Sequence, residues 1–249
     1  MSIKLTAIEN FLNEYLDASR YVEPCGVYVD SARPVARLGL ALEPSDDVAE
    51  WINGERLDAL FLHRPWKLER APTALPEGVG VIAYHLAFDE RLTLGYNPRL
   101  AQALRLSGLE VLGEKEGRPL GMSGDVSTLA AMTFTDFARA IGEVFGGCER
   151  NDTPTSPEVT RVAVVGAMTD ALVREASARG AQVYVTGQFR APAEAAVKAT
   201  NIGVIAVGHR RSEEWGLRAL AEVLRERWCD LQVIFESRKG ASNEPVDES

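Results

Sequence analysis

Arg161-Val162-Ala163-Val164-Val165-Gly166, Gln182-Val183-Tyr184-Val185-Thr186 and Gly203-Val204-Ile205-Ala206-Val207 are short, almost unbroken apolar runs rich in β-branched residues. Helical periodicity fills the gaps, over 169–179 up to Gly180 and over about 192–199. After the third run it resumes over 213–227 and leads to Leu231-Gln232-Val233-Ile234-Phe235. A strand with one wet face alternates apolar and polar residues, whereas runs without alternation imply a sheet covered by helices on both faces. This stretch therefore decides the fold class, which is α/β.

The N-terminal half shows the same alternation less cleanly. Ile3, Leu5, Ile8, Phe11, Leu12, Tyr15 and Leu16 fall at helical spacing, which predicts an amphipathic helix over 3–18 capped near Thr6. Gly26–Val29, Ala36–Ala41, Ala59–Leu62 and Val79–Tyr84 read as strands, with helices at about 46–54 and 97–107. Residues 114–128 are rich in Gly, Ser and charge, a helix over 135–145 stops at Gly146-Gly147, and Asn151-Asp152-Thr153-Pro154-Thr155-Ser156-Pro157 reads as a loop. The expected architecture is two α/β lobes with mixed or parallel sheets covered by helices, 1–130 and 131–236, and a cleft between them. The tail 237–249 offers almost nothing to bury and is expected to be flexible.

Composition narrows the class of function. The chain has 249 residues, 46% hydrophobic and 25% charged, enough for a substantial core. No run of 18 apolar residues occurs and the N-terminus lacks an apolar signal core, so a cytoplasmic protein without membrane contact is expected. Cys25, Cys148 and Cys229 are odd in number and widely spaced, against a disulfide framework or a zinc knuckle. A net charge of -9 repels phosphate backbones, so nucleic acid is not an expected partner. One local basic set, Arg64, Lys67, Arg190, Arg210 and Arg211, stands against that average.

The chain spends its three histidines in parallel settings. They are Phe61-Leu62-His63-Arg64-Pro65, Tyr84-His85-Leu86-Ala87-Phe88-Asp89 and Val207-Gly208-His209-Arg210-Arg211-Ser212-Glu213, each at the end of an apolar run and close to a carboxylate or an arginine. Imidazole is the commonest ligand for divalent transition metals and the one unperturbed proton carrier near neutral pH, so three such placements point to one site. His209 and Glu213 are four apart where a helix begins, as are His85 and Asp89, so each pair could reach one cation at the carboxyl end of a strand. The plainer reading makes Ser212 a helix cap, Glu213 and Glu214 first-turn acids, and Asp89-Glu90-Arg91 a solvated turn. Other chemistries lack their motifs: Val165-Gly166-Ala167-Met168 has only the first glycine of a dinucleotide fingerprint, and neither a phosphate-binding P-loop nor a Gly-x-Ser-x-Gly elbow is present.

On these residues the chain resembles the Nif-three-like family, dinuclear-metal hexameric proteins often labelled GTP cyclohydrolase 1 type 2 homologues. The resemblance covers most of 5–236. It is densest from Tyr184-Val185-Thr186-Gly187 through Gly208-His209-x-x-x-Glu213 to Trp228, similar to the family's "TG" turn and "GH-x-x-x-E" element. Glu23-Pro24-Cys25-Gly26-Val27-Tyr28-Val29 is similar to "DN-x-G-L-x-V", and His85-Leu86-Ala87-Phe88-Asp89 to "H-T-N-L-D". The resemblance implies metal ligands at His63, Asp89, His209 and Glu213; the setting of His85 suits a ligand, a donor behind a ligand or a proton carrier, and in an enzyme it is expected to move protons. It also implies a homo-hexamer and a metal-dependent hydrolase acting on a nucleotide or related anionic small molecule. The cofactor would be one or two divalent ions, and mixed imidazole and carboxylate ligation suits zinc, iron, manganese and nickel alike.

Two departures matter. His63-Arg64-Pro65 sits where the family has "HHP", so a guanidinium without a lone pair replaces a ligand imidazole. Gly187-Gln188-Phe189-Arg190 replaces "G-D-x-K". Arg64 is expected to neutralise Asp89 and Glu213 where a second cation would sit, and Arg64, Arg210 or Arg211 to hold the anion. The alternative is a non-catalytic metal-dependent scaffold or ligand-binding protein.

Overall fold

The structure, a computed structural model, describes residues 3–23, 25–70, 75–127 and 132–236. The tail expected to be flexible, 237–249, lies outside the described residues. The chain opens with helix α1 (Leu5–Tyr15), strands β1 (Gly26–Val29) and β2 (Arg37–Ala41), helix α2 (Val48–Glu55) and strand β3 (Ala59–Leu62). Short helix α3 (Lys67–Arg70), strand β4 (Gly80–Ala83), and helices α4 (Leu86–Leu92) and α5 (Pro98–Ala103) follow. Next come strands β5 (Leu106–Lys115), β6 (Arg118–Val126) and β7 (Met132–Thr133), helix α6 (Phe134–Phe145), and strands β8 (Arg150–Asp152), β9 (Glu158–Val159) and β10 (Arg161–Val165). The chain closes with α7 (Asp170–Ala178), β11 (Val183–Thr186), α8 (Glu194–Thr200), β12 (Gly203–Ala206), α9 (His209–Arg227) and β13 (Gln232–Phe235).

Two mixed sheets result, confirming the α/β reading. One runs β1-β4-β3-β2-β13, with β1 antiparallel to β4 and the rest parallel. The other runs β5-β6-β10-β11-β12-β8, in which β10, β11 and β12 are parallel and the flanking strands antiparallel. Sheet membership divides the chain at points other than residue 130. Strands β5 and β6, N-terminal to that point, extend the second sheet, and β13 returns to pair with β2 of the first. Helix α9 makes the crossing, leaving β12 at one end and delivering β13 at the other.

The unalternating runs are buried as their pattern requires: all four residues of β3, β4, β11 and β12 are inaccessible. Leu220 and Leu224 of α9 pack with Leu38, Leu40 and Phe61 on one face of the first sheet. Ile52, Leu60, Leu62 and Val81 close its other face.

Two elements differ from expectation. The Gly- and Ser-rich stretch 114–128 is largely the strand β6, paired with β5 as a long hairpin. Its two-residue turn places Glu116 at φ 53° and Gly117 at φ 75°, the doubly left-handed geometry that suits twisted strands, but Glu-Gly lacks the Asn-Gly or Asp-Gly signature. Helix α9 begins at His209 rather than at 213, because Gly208, at φ 99°, turns the chain directly from β12 into the helix. Ser212, expected as the cap, instead donates its hydroxyl to the carbonyl of His209 at 2.6 Å.

Candidate metal centre

The first sheet's parallel strands end where α9 begins, and five of the expected residues meet there. Strand β3 delivers His63, whose backbone N–H still bonds the Ala41 carbonyl at 3.3 Å, while Arg64 N–H bonds Leu42 at 2.7 Å. Pro65 then stops the ladder. Strand β4 and Tyr84 lead to His85, the residue before α4, and the first turn of α4 presents Asp89. Helix α9 carries His209 and Glu213 one turn apart on one face, so its earlier start strengthens the four-residue spacing argument.

His63 is fully buried on an aromatic floor, its ring centroid 4.9 Å from that of Phe88, which lies 5.7 Å from Phe61. Its Nδ1 lies 3.1 Å from the Tyr84 carbonyl, which can only accept, so Nδ1 carries the proton. Nε2 then faces Glu213 Oε1 at 3.1 Å and Asp89 Oδ1 at 3.5 Å. A nitrogen lone pair set against two carboxylate oxygens is attractive only with a proton or a metal ion between them. A backbone carbonyl behind a metal-binding imidazole is a recurrent orienting device, so the donor set fits a cation.

His85 is part-exposed and lies alongside, its ring centroid 4.9 Å from that of His63 and 5.1 Å from that of Trp66. Its Nδ1 is 3.2 Å from Glu23 Oε2 and its Nε2 3.9 Å from Asp89 Oδ2. Ligand atoms of His63, His85 and Asp89 all lie within 4.8 Å of one another.

Glu213 is differently placed. It is 1% exposed and Arg64 grips it with both guanidinium nitrogens, Nη2 at 3.0 Å from Oε2 and Nη1 on Oε1. His209 Nε2 adds a third contact at 3.1 Å. Burial pushes the Glu213 carboxyl upward, but hydrogen bonds from His209 and Arg64 hold the group well below the ordinary glutamate range. Asp89 has no such grip: burial raises its carboxyl above the ordinary range, against the pull of His63 and with the push of Glu213. The hydrogen bond to Glu213 raises His209 above the ordinary histidine value despite partial burial.

The remaining basic residues do not converge here. Arg210 pairs with Glu214 at 2.9 Å, Arg211 with Glu149 at 3.3 Å and Lys67 with Glu43 at 3.4 Å. Gln188 is exposed just after β11. A cavity of about 210 Å³ opens beside Asp89 and His209, running past Glu90, Leu120, Gly166 and Gly187 toward the second sheet. A larger one of about 300 Å³, between Arg99, Trp215 and Glu222, has no histidine in its lining.

Sequence reasoning missed Glu23. The only signal was its place in Glu23-Pro24-Cys25-Gly26, just ahead of the strand that pairs antiparallel with β4 through Gly26 and Ala83.

Comparison with known proteins agrees with this architecture. The family model Duf34/NIF3 (NGG1p interacting factor 3) matches residues 3–240. A Pseudomonas aeruginosa protein named GTP cyclohydrolase 1 type 2 homolog is 27% identical over 250 residues, covering 94% of this chain and 97% of the relative. Among solved structures, protein ybgI, of unknown function, superposes with a TM-score of 0.77 at 23% identity, covering 96% of this chain and all of that one (100%). The Thermus thermophilus protein TTHA1606 gives 0.73 at 21% identity, again covering 96% and 100%. Both likenesses concern the fold.

Proposed function

The chain belongs to the Duf34/NIF3 family, and within it we propose a protein that binds one divalent metal ion between His63 and Asp89 and uses it in hydrolysis of a small molecule. The observation that carries this reading is His63, whose Nδ1 is spent on a carbonyl and whose Nε2 faces two carboxylates. A bound divalent ion would supply Lewis acidity toward water and toward a substrate carbonyl or phosphoryl group. The chain's own groups supply the rest. His63 and Asp89 would hold the ion. His209, more than half exposed, raised above the ordinary histidine value by its bond to Glu213 and bordering the cavity, delivers a proton to the leaving group. That role was expected of His85, which does not border the cavity.

One ion rather than two follows from Arg64. Near an effective dielectric of 20, a unit charge about 4 Å away is worth on the order of 4 kcal/mol, so a guanidinium on Glu213 strongly opposes a second cation there. Hydrolysis is the reading suggested by the relatives' name, GTP cyclohydrolase 1 type 2 homolog. The nucleotide itself finds less support, since Arg64, Arg210 and Arg211 are each paired to a carboxylate. The same Arg64 grip favours a second reading, a metal-binding protein without turnover.

Metal content of untagged protein by plasma mass spectrometry tests the first step. One ion per chain, lost in His63→Ala, is expected; no uptake after reconstitution with zinc, iron, manganese or nickel overturns it. Metal-dependent turnover in a panel of nucleotides, phosphodiesters and cyclic amidines, abolished by His209→Ala, separates the enzyme from the non-catalytic protein.

A further inference from the structure

We propose that His85 is the third protein ligand of this ion and that Glu23 is the residue that positions it, an inference that rests on the metal reading above. The set His63, His85 and Asp89 differs from the expected set of His63, Asp89, His209 and Glu213. Its ligand atoms lie within 4.8 Å of one another, a grouping found among the described residues. Glu213 is withdrawn by Arg64, and His209 bonds Glu213 rather than Asp89.

Glu23 explains how His85 is held. One carboxylate oxygen accepts from the Leu86 backbone N–H at the start of α4, and the other lies 3.2 Å from His85 Nδ1. A carboxylate is an acceptor, so Nδ1 of His85 carries its proton there and Nε2 turns its lone pair toward Asp89. His63 is arranged the same way with a different partner, a backbone carbonyl. Both imidazoles thus present Nε2 to the same carboxylate, each fixed from behind by an acceptor. An exposed imidazole has no such orientation by default. The edge of Trp66 against His85 and the anchoring of Glu23 on α4 remove the freedom that its part-exposed position would otherwise allow. A carboxylate behind a ligating imidazole also makes it a stronger donor, and removing such a partner costs metal affinity about 10- to 100-fold.

The test is titration of metal-stripped protein with Co²⁺, read by visible absorption and by competition with a chelator, in wild type, Glu23→Gln, His85→Ala and the double variant. Glu23→Gln leaves a single side-chain acceptor for two donors, and its Co²⁺ affinity is expected to fall by about 10- to 100-fold. His85→Ala is expected to fall at least as far, and Glu23→Gln to add nothing in its background. Unfolding of the metal-free proteins separates loss of the α4 anchor from loss of the ligand. Unchanged affinity in Glu23→Gln, or an equal loss with and without His85, overturns the role of Glu23 while leaving the metal reading intact. Unchanged affinity in His85→Ala overturns the ligand assignment, and no Co²⁺ uptake by wild type overturns both readings.

A second measurement needs no variant. With only three histidines in the sequence, a long-range ¹⁵N–¹H correlation spectrum of Zn²⁺-loaded protein assigns each ring. The expected pattern is Nδ1 protonated and Nε2 metal-shifted in both His63 and His85. A His85 ring that does not respond to Zn²⁺ while His63 does overturns the proposal.

Discussion

The two halves of the site use the same residue types to opposite ends. On one side, His63, His85 and Asp89 bring their ligand atoms within 4.8 Å of one another. On the other, Glu213 is gripped by Arg64 and touched by His63 and His209, a buried carboxylate with its charge fully answered. Asp89 is raised and Glu213 lowered, although their partners include the same imidazoles. A guanidinium is always charged and forks onto a carboxylate in a fixed plane, so one residue, Arg64, turns half of this candidate site into an ion pair.

Removing Arg64 should disturb the site most. Arg64→Ala leaves a buried carboxylate with imidazole partners alone, and we expect a loss of about 3 kcal/mol in denaturant unfolding of metal-free protein. Acid probes the same pair. Glu213 titrates below its ordinary value of 4.5 in the folded chain, so its stabilisation is complete above that value and is lost as the pH falls below it. The acid limb should therefore be shallower in Arg64→Ala. Arg64→His restores a group with a lone pair, and a rise from one to two ions per chain is expected; unchanged metal content would show that the guanidinium was not what excluded the second.

A somewhat smaller effect is expected from the packing that holds the two halves at this separation. Gly216 of α9 lies against α4, where an added Cβ would sit 2.8 Å from Phe88 Cζ and 3.1 Å from the Leu92 carbonyl. Gly216→Ala must push α9 from α4, carrying Glu213 and His209 away from Asp89. We expect a loss of about 2 kcal/mol and a weaker Co²⁺ affinity. Lost stability with unchanged affinity would mean that Asp89 binds metal without support from α9.

The alkaline limb is smaller still. His209 is raised above its ordinary value of 6.5, so its contribution is complete below that value and is lost as the pH rises through the higher folded one. Its side chain is 58% exposed, so solvent screening keeps the effect below about 1 kcal/mol. The slope of stability between pH 6 and 9 should flatten in His209→Ala. A slope that persists must come from another group and would weaken the pairing assigned to Glu213.

Much of the first half of the contrast was legible in the sequence, and little of the second. Unalternating runs announced β10, β11 and β12, and the ends of apolar runs located His63, His85 and His209. The hairpin of β5 and β6 was hidden because glycines at 121 and 124 serve close approach to Val164 and to Ser107, and Glu116-Gly117 lacks the usual turn chemistry. Arg64 was recognisable as a misfit among ligands, but not its choice of Glu213 over Asp89, which depends on a helix 149 residues further on. Glu23 was invisible for the same reason, being set beside His85 by the pairing of β1 with β4 across 62 residues.

Arg210 stands apart from both halves of the site. It neighbours His209 on α9 and was expected to hold an anion, yet its guanidinium lies 2.9 Å from Glu214 one turn along the same helix, with both side chains about 40% exposed (39% and 43%). Such a pair exchanges one hydrated partner for another and contributes a few tenths of a kcal/mol, whereas Arg64 answers a carboxylate that water does not reach. Arg210→Ala is therefore expected to change stability by no more than about 0.5 kcal/mol and to leave Co²⁺ affinity unchanged. If anionic substrates are turned over, their KM should likewise be unmoved. A KM that rises several-fold in Arg210→Ala, with kcat and fold intact, would return the anion-holding role to this residue. The difference between the two arginines would then be one of task rather than of burial.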